Sequence, residues 1–398
     1  MQPKVSRLAL AVLLLAIAAN AAETVAVLPL FNMNHAQSPN FDWIGESVAE
    51  AVRESLSESG LLVLGREERE EAYRRLSLRT GVVLTKASVL KIGDTLDAGT
   101  VLFGEFSVNG PAPGPGSEFK VVIHAIDLRK FRETAVYEQT GLLQNLSQLQ
   151  LKLSWLLLGN LRPNGTPPEA DFLRDRVPVR LDALESYIRG LMATTPDQRT
   201  RMFAQAVRID ERFSQPNFQL GRISFGKKDY KTATLHLGRV TKNDSHYLEA
   251  AYLLGICRYY EGDFDAAIRQ FTALRAEIPI NEVFNNLGAA LSRKNDPAAF
   301  EQFKKALEGD EADPDYWFNS GYSLWKQGQF TQAADRFRAV LDRSSGDQDA
   351  TVLLGRCLRM DGPRAGDTRT QFLERLKTSF EDSAFRQLQA ELKHPEKP

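Results

Sequence analysis

The chain has 398 residues, 43% of them hydrophobic and 25% charged, a balance that excludes a disordered or fibrous protein. With 50 basic and 51 acidic residues the formal net charge is -1, so no charge excess points to nucleic acid or an anionic membrane surface as a partner. The length allows two or three domains.

Lys4 and Arg7 precede an uninterrupted apolar run from Leu8 to Ala18, and Ala19-Asn20-Ala21 is an A-x-A cleavage site. These read as a secretory signal peptide over residues 1–21. The run is short of the about 20 residues that span a bilayer; an uncleaved anchor is the alternative. No cysteine lies at the cleavage site, so no lipid-anchored product is expected, and no later stretch is apolar enough to cross a membrane. The expectation is a periplasmic or secreted protein that begins at Ala22.

Residues 22–161 predict a domain of mixed helix and strand. Thr24 to Leu30 is a strand-like apolar run ending at Pro29. Ile44, Val48, Val52 and Leu56 recur every four residues and mark one face of a helix over 42–58. Leu61 to Leu64 has strand length, and 67–76 and 86–96 are helical in pattern. Val101 to Phe106, Phe119 to Ile126 and Thr134 to Gln139 predict an antiparallel meander, with Gly110 to Ser117 as a hairpin loop. Leu146, Leu149, Leu153, Leu156 and Leu157 share a face of a closing helix. The order β-α-β-α-α-β-β-β-α predicts a sheet covered by helices on one side or both.

Val25-Ala26-Val27-Leu28-Pro29-Leu30 resembles the opening strand of the TolB-like amino-terminal domain family, which is related to the FlgO-like and CsgG-like bacterial envelope proteins. Leu96 to Phe106 is similar to that family's helix-to-strand passage, with Leu30 where Phe is common and Gly99-Thr100 where Asp-Tyr is usual. The resemblance covers 24–161 and implies an envelope accessory domain without known catalytic residues.

Residues 162–180 open with Arg162-Pro163-Asn164-Gly165-Thr166-Pro167-Pro168, a break that predicts a linker with some hinge freedom, the alternative being that helix 142–161 packs against the first repeat. Beyond it the chain repeats. Gly221, Gly255, Gly288, Gly321 and Gly355 recur at steps of 34, 33, 33 and 34 residues, a period that signifies a stacked array of units too small to fold alone. Leu254-Gly255, Phe264, Ala267 and Phe271 form the clearest copy, and Trp317, Gly321, Phe330, Ala333 and Phe337 form another. The pattern resembles the tetratricopeptide repeat, with five copies and a half-copy over 181–362. The small residues sit where the two helices of a hairpin cross, and Trp317, Phe271, Phe303 and Phe337 are expected in the core. Cys257 and Cys357 occupy the same position three repeats apart, beyond disulfide reach. Residues 363–398 are expected to form a polar capping helix and tail. The fold class is therefore an α/β domain followed by an all-α solenoid.

In this repeat family the concave face comes from fixed positions of the first helix of each hairpin. They fall on Phe218, Arg222 and Phe225; on Tyr252, Ile256, Tyr259 and Tyr260; on Asn285, Asn286 and Arg293; on Phe318, Asn319, Tyr322, Trp325 and Lys326; and on Arg356 and Arg359. Aromatics and arginine dominate binding hot spots. The equivalent Asn286 and Asn319 can each pair with an N–H and a C=O of an extended peptide. The alternative is that several of these aromatics pack only between helices. The family's clamp for a terminal carboxylate is not reproduced by Arg222 and Arg293.

The five histidines, His35, His124, His236, His246 and His394, have no metal-ligand spacing. Gly45-Glu46-Ser47-Val48-Ala49 lacks the second glycine of a nucleophile elbow. Glu67-Glu68 and Glu70-Glu71 read as an exposed helix face. No catalytic, metal or cofactor site is expected. The expected function is an exported, non-enzymatic adaptor with a protein or peptide in the repeat groove and its first domain docked to an envelope component. A small-molecule or glycan protein with a cleft between domain and array, and a scaffold that oligomerises through its C-terminal helix, are the alternatives.

Overall fold

The computed structural model describes residues 24–79, 81–110, 114–174, 176–381 and 385; the expected signal segment lies outside them. Its elements form two compact units. One runs to Phe213 and takes in Asn243–Ser245; the other comprises Ser214–Lys242 and His246–Arg386.

The first unit is built on a mixed sheet of β1 (Val25–Val27), β2 (Phe31–Asn32), β3 (Thr100–Asn109), β4 (Glu118–Asp127) and β5 (Arg132–Leu142). β1 and β2 both run parallel to β3, which pairs antiparallel with β4, and β4 with β5. The expected single strand 24–30 is thus two short ones. Pro29 has no N–H to give the ladder, and Leu30 turns away to donate its N–H to Gly45 at 3.2 Å. The run at 61–64 shrinks to one parallel bridge between Val25 and Val63.

Helices α1 (Trp43–Glu58), α2 (Arg66–Arg75), α3 (Lys86–Thr95) and α4 (Leu146–Leu161) cover the sheet. Ala26, Leu28, Val101 and Ile126 pack with Ala72, Tyr73, Val89 and Ile92 from α2 and α3. The alternating Val25, Val27 and Leu102 are buried as well, as period-two patterning requires of a sheet covered on both faces. A Cβ on Gly45 would lie 2.0 Å from the carbonyl oxygen of Leu30, so this glycine permits helix-to-strand contact.

The segment expected as a free linker is fastened along its length. Arg162 donates to the carbonyls of Ser59 and Gly60 at 2.5 and 3.2 Å, the Trp155 indole donates to Pro167 at 2.9 Å, and Arg176 pairs with Glu58 at 2.8 Å. It carries α5 (Glu169–Leu173) and leads into α6 (Leu181–Met192) and α7 (Pro196–Ile209). This first helical hairpin groups with the sheet unit, since α6 packs on α1 and α4.

The second unit is all-α: α8 (Ser214–Gly226), α9 (Tyr230–Leu237), α10 (Tyr247–Tyr260), α11 (Phe264–Glu277), α12 (Asn281–Arg293), α13 (Ala298–Gly309), α14 (Pro314–Lys326), α15 (Phe330–Arg343) and the unpaired α16 (Gln348–Leu358). Gly221, Gly255, Gly288 and Gly321 each face the bulky residue of the partner helix. An added Cβ would meet Leu237 at 2.6 Å from Gly221, and the rings of Phe271 and Phe303 at 2.7 Å from Gly255 and Gly288. Ala233, Ala267, Ala299 and Ala333 are fully buried at the same crossings, as are Phe271, Phe303 and Phe337. Trp317 departs from the expected core position. It is half-buried, donates to the Glu311 carbonyl at 2.8 Å and lies under the guanidinium groups of Arg336 and Arg343, where its indole N–H keeps a partner.

The expected capping helix is absent from residues 363–381. After α16 the chain turns through 365–372 and runs extended from Leu373 to Glu381. Phe372 stands at φ +63 where the turn becomes the extended run, a backbone state that only the surrounding packing holds for a non-glycine residue.

Candidate functional site

Helices α10, α12 and α14, each the first of its hairpin, turn their outer positions toward a common groove, and the extended segment lies in it. Asn319 donates its amide to the carbonyl of Arg375 at 2.7 Å and accepts the Arg375 N–H at 2.8 Å. One repeat earlier Asn286 repeats the pattern on Lys377, both bonds 2.8 Å. Residues 375 and 377 face the same way because an extended chain alternates, and the repeat step brings the second asparagine into register with the second residue. Asn285 donates a further bond to Arg375 at 2.8 Å and accepts one from Asn319 at 2.7 Å. All three asparagines are fully buried, and their paired amides are what makes that burial tolerable.

Aromatic donors extend the contact. The Tyr252 hydroxyl donates to Lys377, that of Tyr322 to Thr370 and the Trp325 indole to Asp361, each at 2.7 Å. Burial pushes both tyrosine hydroxyls far above their ordinary pKa, so they stay neutral donors. The ring of Phe380 lies 4.9 Å from that of Tyr252.

Charge is placed on the same surface. Arg375 lies 3.6 Å over the Phe318 ring, pairs with Asp347 at 2.7 Å and reaches Asp315 at 3.2 Å. Lys377 pairs with Asp313 at 2.6 Å and Asp315 at 2.7 Å. Burial works against the charge on Lys377, but bonds from the two carboxylates outweigh it and raise its pKa. Glu374 accepts from Ser292 at 2.9 Å and faces Lys326 at 3.4 Å. There burial wins, and the Lys326 ammonium is held below its ordinary value despite Glu374.

Of the expected binding residues, Tyr252, Asn285, Asn286, Phe318, Asn319 and Tyr322 therefore meet on residues 370–380, while Trp325 stacks on Tyr322 at 5.8 Å and bonds to Asp361 instead. Tyr259 lies 5.4 Å below Arg293, whose guanidinium also covers the ring of Phe372 at 3.8 Å. The remaining four make other contacts. Phe218 stacks on His246 at 4.4 Å, Arg222 faces Glu249 at 3.5 Å, and Phe225 and Tyr260 pack on Tyr230. Ile256, expected on the groove, is fully buried in the core. Arg356 pairs with Asp367, while Arg359 stands 3.9 Å from Asp361. Residues absent from the sequence reading are Ser292, Asp313, Asp315, Asp347 and the segment itself. Its basic residues two apart were the available signal.

The other candidate groups take structural partners. Ser47 accepts from Gln150 at 2.8 Å, and Glu46 and Glu50 meet the buried Arg69, which donates to the Val27 carbonyl at 3.0 Å. Burial works against the Glu50 charge, but Arg53 and Arg69 hold its carboxyl below the usual range. His124 stacks on Phe103 at 5.2 Å and meets Glu133, which also takes Lys86 at 2.7 Å. Cys257 and Cys357 are free and buried, and burial pushes their thiols up to about 12 and about 11. Among the described residues no cluster of three His, Cys, Asp or Glu is placed to hold a metal, and no helix is long and apolar enough to cross a membrane.

Residues 252–316 and 318–383 match the family described as tetratricopeptide repeat, so the chain carries these repeats. Tetratricopeptide repeat-containing protein trd-1 of Caenorhabditis elegans is 23% identical over 227 residues, covering 50% of this chain; the chain spans 29% of that relative's length. Among solved structures, YrrB, titled a TPR protein with an unusual peptide-binding site, has 20% identity and a TM-score of 0.35, covering 48% of this chain and 93% of its own. Pseudomonas aeruginosa pilF has 18% identity and a TM-score of 0.37, covering 45% and 83%. MamA from Desulfovibrio magneticus has 20% identity and a TM-score of 0.36, covering 40% and 92%.

Proposed function

We propose that this protein is an exported, non-enzymatic scaffold whose repeat groove receives an extended segment of a protein partner. The observation that carries the reading is the double pairing of Asn286 and Asn319 with the N–H and C=O of alternate residues. Main-chain pairing of this kind holds any extended peptide, while neighbouring side chains select among them. The residues the groove pairs with in this chain, Arg375 and Lys377, offer it main-chain groups and not a terminal carboxylate.

Export rests on the basic start, apolar run and A-x-A site of residues 1–21, and docking of the first domain to an envelope component rests on its resemblance to the TolB-like domains. A photo-cross-linking residue in place of the half-buried Arg293, which lies over Phe372 at the edge of the groove, tests the reading, with exposed Leu235 on α9 as the control position. The expected result in cells is an adduct with another protein from position 293 alone. Adducts equal at both positions, or none, would overturn the reading. Full-length, unprocessed protein in the cytoplasm would overturn export.

A further inference from the structure

The groove is filled by the chain that lines it, and the filling has a side-chain pattern. Glu374 sits between Ser292 and Lys326, Arg375 enters between Phe318 and Asp347, and Lys377 meets Asp313 and Asp315. Leu376 and Phe380 pack on the apolar cluster of α10 to α12. Asp313 and Asp347 are also the N-caps of α14 and α16, so two of the acids facing the basic pair are held in place by their own helices. Main-chain pairing is indifferent to sequence, whereas this alternation of acid, base, apolar and base is not.

We propose that the partner segment the groove takes is an extended stretch of the same chemistry, an acidic residue followed by arginine, an apolar residue and lysine, with an aromatic three positions on, and that residues 370–380 are its tethered competitor. The proposal rests on the reading of the groove as a peptide site. The tether is short, since α16 ends at Leu358 and the bond from Tyr322 is already made at Thr370, within the turn. A tether of this length sets an effective concentration on the order of millimolar. A free segment of micromolar intrinsic affinity then binds the intact chain roughly 1000-fold more weakly than a chain whose own segment has left.

The test is fluorescence anisotropy with a labelled peptide of residues 368–381. Three full chains are compared: the unaltered one, Arg375→Glu/Lys377→Glu, and one with a protease site inserted between the exposed Ala365 and Gly366, cut after folding. The cut chain keeps every groove residue, so it answers the question even where the charge reversal fails to fold. The expected result is at least 10-fold tighter binding by the cut and charge-reversed chains than by the intact one. Asn319→Ala in the cut chain should lose at least 10-fold of that affinity, and a peptide of scrambled order should bind no chain.

Equal binding by intact and cut chains would overturn the competitor role. Equal binding of the scrambled peptide would overturn the side-chain pattern and leave the peptide-site reading standing. No binding by a cut chain of unchanged helix content would overturn both.

Discussion

An asparagine side chain carries the same donor and acceptor as a peptide group, so a pair of them one repeat apart can replace two rungs of a β-ladder. Asn286 and Asn319 were legible for that reason: type, helical position and repeat step all stand in the sequence. The acids were not, because Asp313 and Asp347 cap their own helices and their second task exists only once Arg375 and Lys377 lie beside them. That second task is testable by pH. Burial works against the Asp347 charge, but its bonds to Arg375 prevail and hold the carboxyl below its ordinary value. A depressed carboxylate contributes stability above its unfolded pKa, about 3.9, and loses it as pH falls through the folded value. Amide exchange at residues 373–381 should therefore stay slow at pH 5 and quicken as the pH drops below about 4; exchange that is flat across this range would show that the Arg375–Asp347 pair does not hold the segment.

Helix pairs meet through one small and one bulky residue, and this is where the repeat period acquires its energy. An alanine at position 255 must push Phe271 ring atoms that lie 2.7 to 3.1 Å from the new Cβ, so Gly255→Ala should cost about 1–3 kcal/mol by overpacking. Among the described residues α16 has no helix paired with it in the last repeat, and a Cβ on Gly355 meets only the Arg359 guanidinium at 3.7 Å. Gly355→Ala should be neutral or stabilise by up to about 1 kcal/mol through helix propensity. Urea midpoints of the two variants should move in opposite directions or, for Gly355→Ala, not at all; equal losses would remove the crossing argument. The same scale explains the misread C-terminal segment. Phe372, Leu373, Leu376 and Phe380 fit a helical period, yet a short isolated helix is marginal in water. The extended form instead gains paired amides from three asparagines and two charged pairs, so tertiary contacts override the local pattern.

Repeat arrays owe their stability to nearest-neighbour contacts, and an end unit is held from one side only. In the second unit the segment 370–380 adds a contact that ignores this order, running across α10, α12 and α14 and tying the cap of α16 to α14 through Arg375. Among the described residues α16 has no paired helix after it, and the Arg375–Asp347 pair gives it a second anchor. Hydrogen exchange should then show α16 (348–358) opening together with the central repeats. In Arg375→Ala it should exchange at least 10-fold faster than α12, the contact having been reduced to main-chain bonds. Unchanged relative protection would mean that α16 is held by α15 alone.

The period, the helix pairs, their glycine and aromatic crossings and most of the groove lining are legible in the chain, because each is a short-range pattern repeated at a constant step. The apolar runs of β1 and β3 announce buried strands for the same reason, and long-range packing covers them on both faces. Long-range packing also sets the first hairpin with the sheet, pins the proline-rich stretch 162–168 and fills the groove. Those outcomes depend on pairings between residues such as Arg375 and Asp347, or Arg162 and Ser59. Such pairs are far apart along the chain and carry no periodicity, so no local rule records them.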